Sequence, residues 1–105
     1  MQNDAPPRKP EDCADMAQLR EAIDDLDQRL VRLLARRQAY IERAAILKQD
    51  RALVRDEARI EDVVEKVLAE ARKAGLSAAI AESVWRVLIE RSINHEFDRF
   101  DAKTP

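Results

Sequence analysis

Apolar residues recur through the first half of the chain at intervals of three, four and seven. Over residues 16–48 they fall at Leu19, Ile23, Leu26, Leu30, Leu33, Leu34, Ile41 and Leu47, and the stretch holds no Gly and no Pro. This is the period of an amphipathic helix, because 3.6 residues per turn bring such positions onto one face. The pattern predicts one helix running to about Lys48, roughly 50 Å long at about 1.5 Å per residue. A helix well past about 25 residues outruns what an ordinary globular monomer covers, so its apolar stripe needs a partner along its length. Asp15 is placed to cap its start, and Gln18, three positions on, makes a variant of the capping box.

The period breaks over residues 49–53, which are mostly polar and read as a short connection, either continued helix or, the favoured reading, an ordered loop. Asp56 is then an N-cap for a second helix with Ile60, Val63, Val64, Val67, Leu68 and Ala71 on one face. Lys73-Ala74-Gly75 is a helix-ending signal, a cation followed by a residue suited to the left-handed cap position. Ser77 can cap a third helix, which directs Ile80, Val84, Leu88, Ile93 and Phe97 inward, with Trp85 and Ile89 alongside, and ends near Phe100. No strand-like alternation occurs. The expected fold class is all-α: a three-helix chain with one very long first helix, two copies of which form an intertwined homodimer. Residues 1–12, polar and Pro-rich, read as a flexible N-terminal tail. Residues 13–100 form the helical domain and 101–105 a C-terminal tail.

Composition narrows the function classes. A chain of 105 residues is one domain. With 38% charged residues and a single Gly it has the make-up of a helical protein. Its 19 basic and 21 acidic residues leave no basic excess for nucleic acid. One cysteine, Cys13, and one histidine, His95, give neither an intrachain disulfide nor a metal-ligand set. Cys13 reads as a small residue near the start of the first helix. No apolar run approaches the roughly 18 residues of a membrane span, and the N-terminus has no apolar signal segment. The expected setting is a reduced cytoplasm, with no membrane partner.

There is no Gly-rich phosphate loop and no nucleophile elbow. What remains is a set of polar groups on helix faces. Arg37 and Lys48 are 11 residues apart, almost three turns, and share a face to within about 20°. Tyr40, Ile41 and Ala44 lie on or beside that face. Two cations there either line an anion pocket or reach past the apolar surface into solvent. Arg20 precedes Arg37 by 17 residues, roughly 25 Å along the axis and about 100° around it. The two cannot grip one small ligand from the same chain, so a functional Arg20 serves a partner chain's pocket. Ser92 and Glu96 form an i, i+4 pair on the third helix. Glu96, flanked by Ile93 and Phe97, either meets a cation, takes up a proton or sits exposed at the helix edge. His95 reads as a surface residue. Asp56 and Arg59 open the second helix, where free backbone N–H groups can also hold an anion or hydroxyl.

Four pieces in this order and spacing carry a family resemblance: Leu19-Arg20-Glu21-Ala22-Ile23-Asp24 with Leu26-Asp27; Leu33-Leu34-Ala35-Arg36-Arg37; Ala44-Ala45-Ile46-Leu47-Lys48; and Val54-Arg55-Asp56 with Arg59. Together they resemble the all-helical chorismate mutase family, over about residues 11–98. The resemblance implies an intertwined homodimer with two active sites, a dianionic substrate (chorismate or isochorismate) and no cofactor or metal. It assigns Arg20 to the arginine donated by the partner chain, Arg37 to the arginine holding a substrate carboxylate, and Lys48 to the lysine at the ether oxygen. Asp56 falls near the ring hydroxyl, Arg59 and Ser92 near the ring carboxylate, and Ala44, Ile89 and Ile93 on the apolar wall. Two positions depart from the best-known bacterial pattern. Ile60, another wall position, stands where a glutamate binds the ring hydroxyl. Glu96 stands where a glutamine assists Lys48, although some members use Glu. The family's isochorismate pyruvate lyase branch is similar in fold, has a small apolar residue at the position of Ile60, and resembles the start Pro10-Glu11-Asp12-Cys13. Ser92 points back to the mutases. A helical dimer with no catalytic role would have lost the clamp cations Arg20, Arg37 and Arg59, and they are present.

Overall fold

The computed structural model describes residues 8–103. The chain forms a 3-10 turn at Pro10–Asp12, helix α1 at Met16–Leu47, a second 3-10 turn at Arg51–Leu53, then α2 at Glu57–Ala74 and α3 at Ala78–Lys103. The fold is all-helical, with no strand among the described residues, and no described helix is long and apolar enough to cross a membrane.

Each boundary has a local cause. At the start of α1, Gln18 N donates to Asp15 Oδ1 at 2.9 Å, while Gln18 Oε1 accepts from Ala14 N at 2.8 Å. The capping box therefore closes on the residue before the cap. Leu47 is the last helical residue of α1, one short of Lys48, whose N–H still reaches Ala44 O at 3.0 Å. The connection that follows is ordered: Asp50 Oδ1 accepts from Ala52 N at 2.9 Å, and Leu53 N and Val54 N close backbone bonds to Asp50 O and Arg51 O. Asp56 caps α2, accepting from Arg59 N at 3.1 Å. Gly75 ends α2 at φ 78°, a left-handed conformation that side chains disfavour. Leu76 N reaches back to Ala71 O at 2.9 Å, the six-to-one bond that satisfies a helix-end carbonyl. Ser77 Oγ accepts from Ile80 N at 3.4 Å and caps α3.

The chain divides into two compact units, one ending at Arg37 and one beginning at Gln38. In the first, the apolar stripe of α1 is exposed: Met16, Ile23, Leu26, Leu30, Leu33 and Leu34 are 42–56% accessible. In the second, α2 packs on α3 around Val54, Ile60, Val64, Ile89 and Ile93, with Val63, Leu68, Trp85, Phe97 and Phe100 against them. Charged pairs fix that packing at its rim. Arg55 grips Glu90 through two bonds of 2.9 Å, and Arg86 grips Glu61 through two of 3.0 Å.

Two expectations for α3 need correction. Ile80 and Val84 do not point inward; they are 55% and 52% exposed, and burial falls instead at Ala81, Ile89, Ile93 and Glu96. The helix carries two apolar lines, one through Ile80, Val84 and Val87 and one through Ala81, Ile89 and Ile93, and period alone does not choose between them. Nor does α3 end near Phe100. It continues to Lys103, whose ammonium finds acceptors on the carbonyls of Ala45, Ile46 and Lys48.

Candidate active site

Glu96 is the only buried charged residue among those described, at 4% exposure. It is buried because it lies one turn beyond Ile93 on the face of α3 that meets the core. An unpartnered carboxylate there would lose several kcal/mol of hydration. Lys48 supplies the partner: its Nζ donates to Glu96 Oε2 at 2.7 Å. Of the alternatives open for Glu96, meeting a cation is the one realised. Lys48 sits at the first position past α1, so its side chain leaves from a helix end. Its own side chain is 29% exposed. An ammonium has three donors, and Glu96 takes one, which leaves Lys48 able to donate to a ligand oxygen at the same place.

Other predicted residues lie one turn away along the helices or in the core. Ser92, half-buried, is one turn before Glu96 on α3, and Ala44, half-buried, is one turn before Lys48. Ile60, Ile89 and Ile93 are buried members of the core, and Ile93 lies one turn before Glu96. His95 is not a simple surface residue. Its Nε2 lies 2.7 Å from Glu42 Oε2, and Arg99 approaches the other oxygen of that carboxylate at 3.7 Å. The hydrogen bond from His95 is the main reason that the Glu42 carboxyl titrates below its ordinary range. The partners are 53 positions apart, and no local pattern announces them.

The predicted residues divide in three. Lys48 and Glu96 are in direct contact. Asp56 and Arg59 are engaged locally: Asp56 caps α2, and Arg59 Nη1 donates to Asp62 Oδ2 at 2.6 Å, with Lys66 on the same oxygen at 2.9 Å. Those two cations hold the Asp62 carboxyl below its usual range, Lys66 contributing most. Arg20, exposed, and Arg37, half-buried, belong to the α1 stretch of the first unit. Two residues escaped sequence reasoning altogether. Lys103 lies in what reads as a tail, and Arg51 in what reads as a plain connection; Arg51 Nε donates to Asp101 Oδ1 at 2.8 Å.

The fold and the Lys48–Glu96 pair define a helical protein with a part-buried ion pair beside an apolar core. Its family follows from comparison with known proteins. Residues 19–97 match the model of chorismate mutase type II, and the chain belongs to that family. It is also similar to the isochorismate pyruvate lyase of Pseudomonas aeruginosa (strain PAO1), 32% identical over 82 residues that cover 78% of this chain and 81% of that protein. Arg20, Arg37, Lys48, Asp56, Arg59, Ser92 and Glu96 all lie within the matched residues; Asp101 and Lys103 lie beyond them.

Proposed function

We propose that this family member is a chorismate mutase, converting chorismate to prephenate in aromatic amino-acid biosynthesis. The observation that carries this reading is the pairing of Lys48 with a nearly fully buried Glu96 at 2.7 Å. The reaction is an intramolecular rearrangement in which one C–O bond breaks as one C–C bond forms. It needs no nucleophile, metal or cofactor. It needs a cationic clamp that selects the compact conformer, and a donor where negative charge builds on the ether oxygen. Arg37 and Arg59, with Arg20 from a second chain, are the clamp. Lys48 is the principal donor, and Glu96 orients it. An ionised carboxylate only accepts, so Glu96 donates to substrate only when protonated. Asp56 and Ser92 contact the ring substituents, and Ala44, Ile60, Ile89 and Ile93 form the wall.

A homodimer is part of this reading. The exposed line Ile23, Leu26, Leu30, Leu33 and Leu34 supports it, since a helix gains most of its stability by covering such a face. The setting of the reading is the cytoplasm.

A second reading is isochorismate pyruvate lyase in the same pocket. Ile60, 8% exposed and within the core, favours it because it offers no carboxylate to a ring hydroxyl, and the Pseudomonas relative bears that name. The test is to give purified protein each substrate in turn and to quantify prephenate and salicylate separately. Faster prephenate formation is expected. Faster salicylate formation would select the lyase, and no turnover of either would leave a helical dimer with a non-catalytic role.

A further inference from the structure

The end of α1 and the segment after it are held by the last turns of α3. The final carbonyls of a helix have no intrahelical partners. In α1, Ala44 O is taken by Lys48 N. Ala45 O and Ile46 O accept from Lys103 Nζ at 2.7 and 3.3 Å, and Lys48 O accepts from the same ammonium at 2.5 Å. These three carbonyls account for all three donors of Lys103. Its charge also lies at the negative end of the α1 dipole, where a cation is favoured. The Phe100 ring, 4.2 Å from Nζ, packs beneath it.

A second grip lies three residues further on. Arg51 donates to both oxygens of Asp101, at 2.8 and 3.3 Å, and its guanidinium stands 4.4 Å from the centre of the Phe97 ring. Residues 97–103 of α3 thus hold residues 45–51 by three side chains, Phe97, Asp101 and Lys103, and Glu96 immediately precedes the gripping stretch. One end of the clamp fixes the Lys48 backbone, and the other presents the carboxylate that its side chain must reach.

We propose that Lys103 is a positioning residue for Lys48: by tying the Lys48 carbonyl and the end of α1 to α3, it holds the Lys48 ammonium at Glu96 and aimed at the substrate oxygen. The family match ends at residue 97, so it does not account for this lysine. The proposal rests on reading Lys48 as the donor in the reaction.

The test compares Lys103→Met, which keeps the apolar stem over Phe100 but loses the donors, with Lys103→Arg, which keeps a multi-donor cation. Lys103→Met is expected to lower kcat about tenfold with KM within about twofold, inside the roughly hundredfold that a misplaced group can cost. Lys103→Arg recovers most of the rate. In a Lys48→Ala background, Lys103→Met has no further effect, because a residue acting through another is non-additive with it. Amide exchange at Leu53 and Val54 becomes faster in Lys103→Met, whatever the substrate. An unchanged kcat, or the same loss in both backgrounds, overturns the proposal. If the unmodified protein turns over neither substrate, the functional reading fails on its own. Exchange then decides the clamp: unchanged rates in Lys103→Met sink it, and faster rates sustain it.

Discussion

Along residues 16–37, Ile23, Leu26, Leu30, Leu33 and Leu34 stay 42–54% exposed, while in the second unit Val54, Ile60, Val64, Ile89 and Ile93 fall to 4–8%. Both sets are aliphatic. In the second unit, α2 and α3 supply each other's cover, and the apolar faces close into a core. In the first unit, the α1 backbone is satisfied by its own helix bonds, yet these five apolar side chains stay about half exposed. The difference teaches that helix formation and burial are separate events. A long helix can be fully specified and still leave unanswered what covers it.

Substitutions can break this contrast at either end. The largest effect is expected from Lys48→Ala, which removes the charge at the developing oxyanion and should cut kcat roughly a hundredfold or more. Steady-state rates check this, with circular dichroism to confirm the fold. A near-normal rate would remove Lys48 from its role. Next is Leu30→Lys. If a second copy covers the α1 stripe, two symmetric sites each lose about 1.5 kcal/mol of burial, and association weakens about a hundredfold. Sedimentation across a dilution series reads this, and an unchanged mass distribution would show that the Leu30 face is not the interface. Val64→Ala tests the other side of the comparison. At 4% exposure it is expected to lose about 2 kcal/mol by denaturant unfolding, with the association state unaltered.

The smallest effect concerns pH. Glu42, Glu61, Asp62, Glu90 and Asp101 all titrate below their ordinary ranges, held there chiefly by hydrogen bonds from His95, Arg86, Lys66, Arg55 and Arg51 in turn. A depressed carboxyl contributes stability that is complete above its unfolded value and lost as pH falls through its folded value. The melting temperature should therefore hold steady above the ordinary carboxylate range and decline below it. All five groups lie in the second unit. Arg86→Met should flatten part of the acid decline, and a melting temperature that rises on acidification would contradict the assignment.

Much of the local structure was legible from the chain itself. Asp15, Asp56, Ser77 and Gly75 each took the expected cap position, because a cap depends on a side chain and a backbone group three or four residues away. The unbroken period over residues 16–48 specified α1 to within one residue of its end. For Glu96 the sequence left three outcomes open, a cation, a proton or an exposed helix edge, and the fold realises the first. The direct contact of Lys48 with Glu96 spans 48 positions and came only with the fold.

The chain's own order of residues thus determined the helices, their caps and the family to which their spacing belongs. Tertiary structure decided which of two apolar lines on α3 faces the core, that His95 meets Glu42, and that Lys103 closes the end of α1. The physical reason is range. Helical period and capping act over a few residues, whereas these choices depend on groups on different helices, distant in sequence, that meet only in the folded chain.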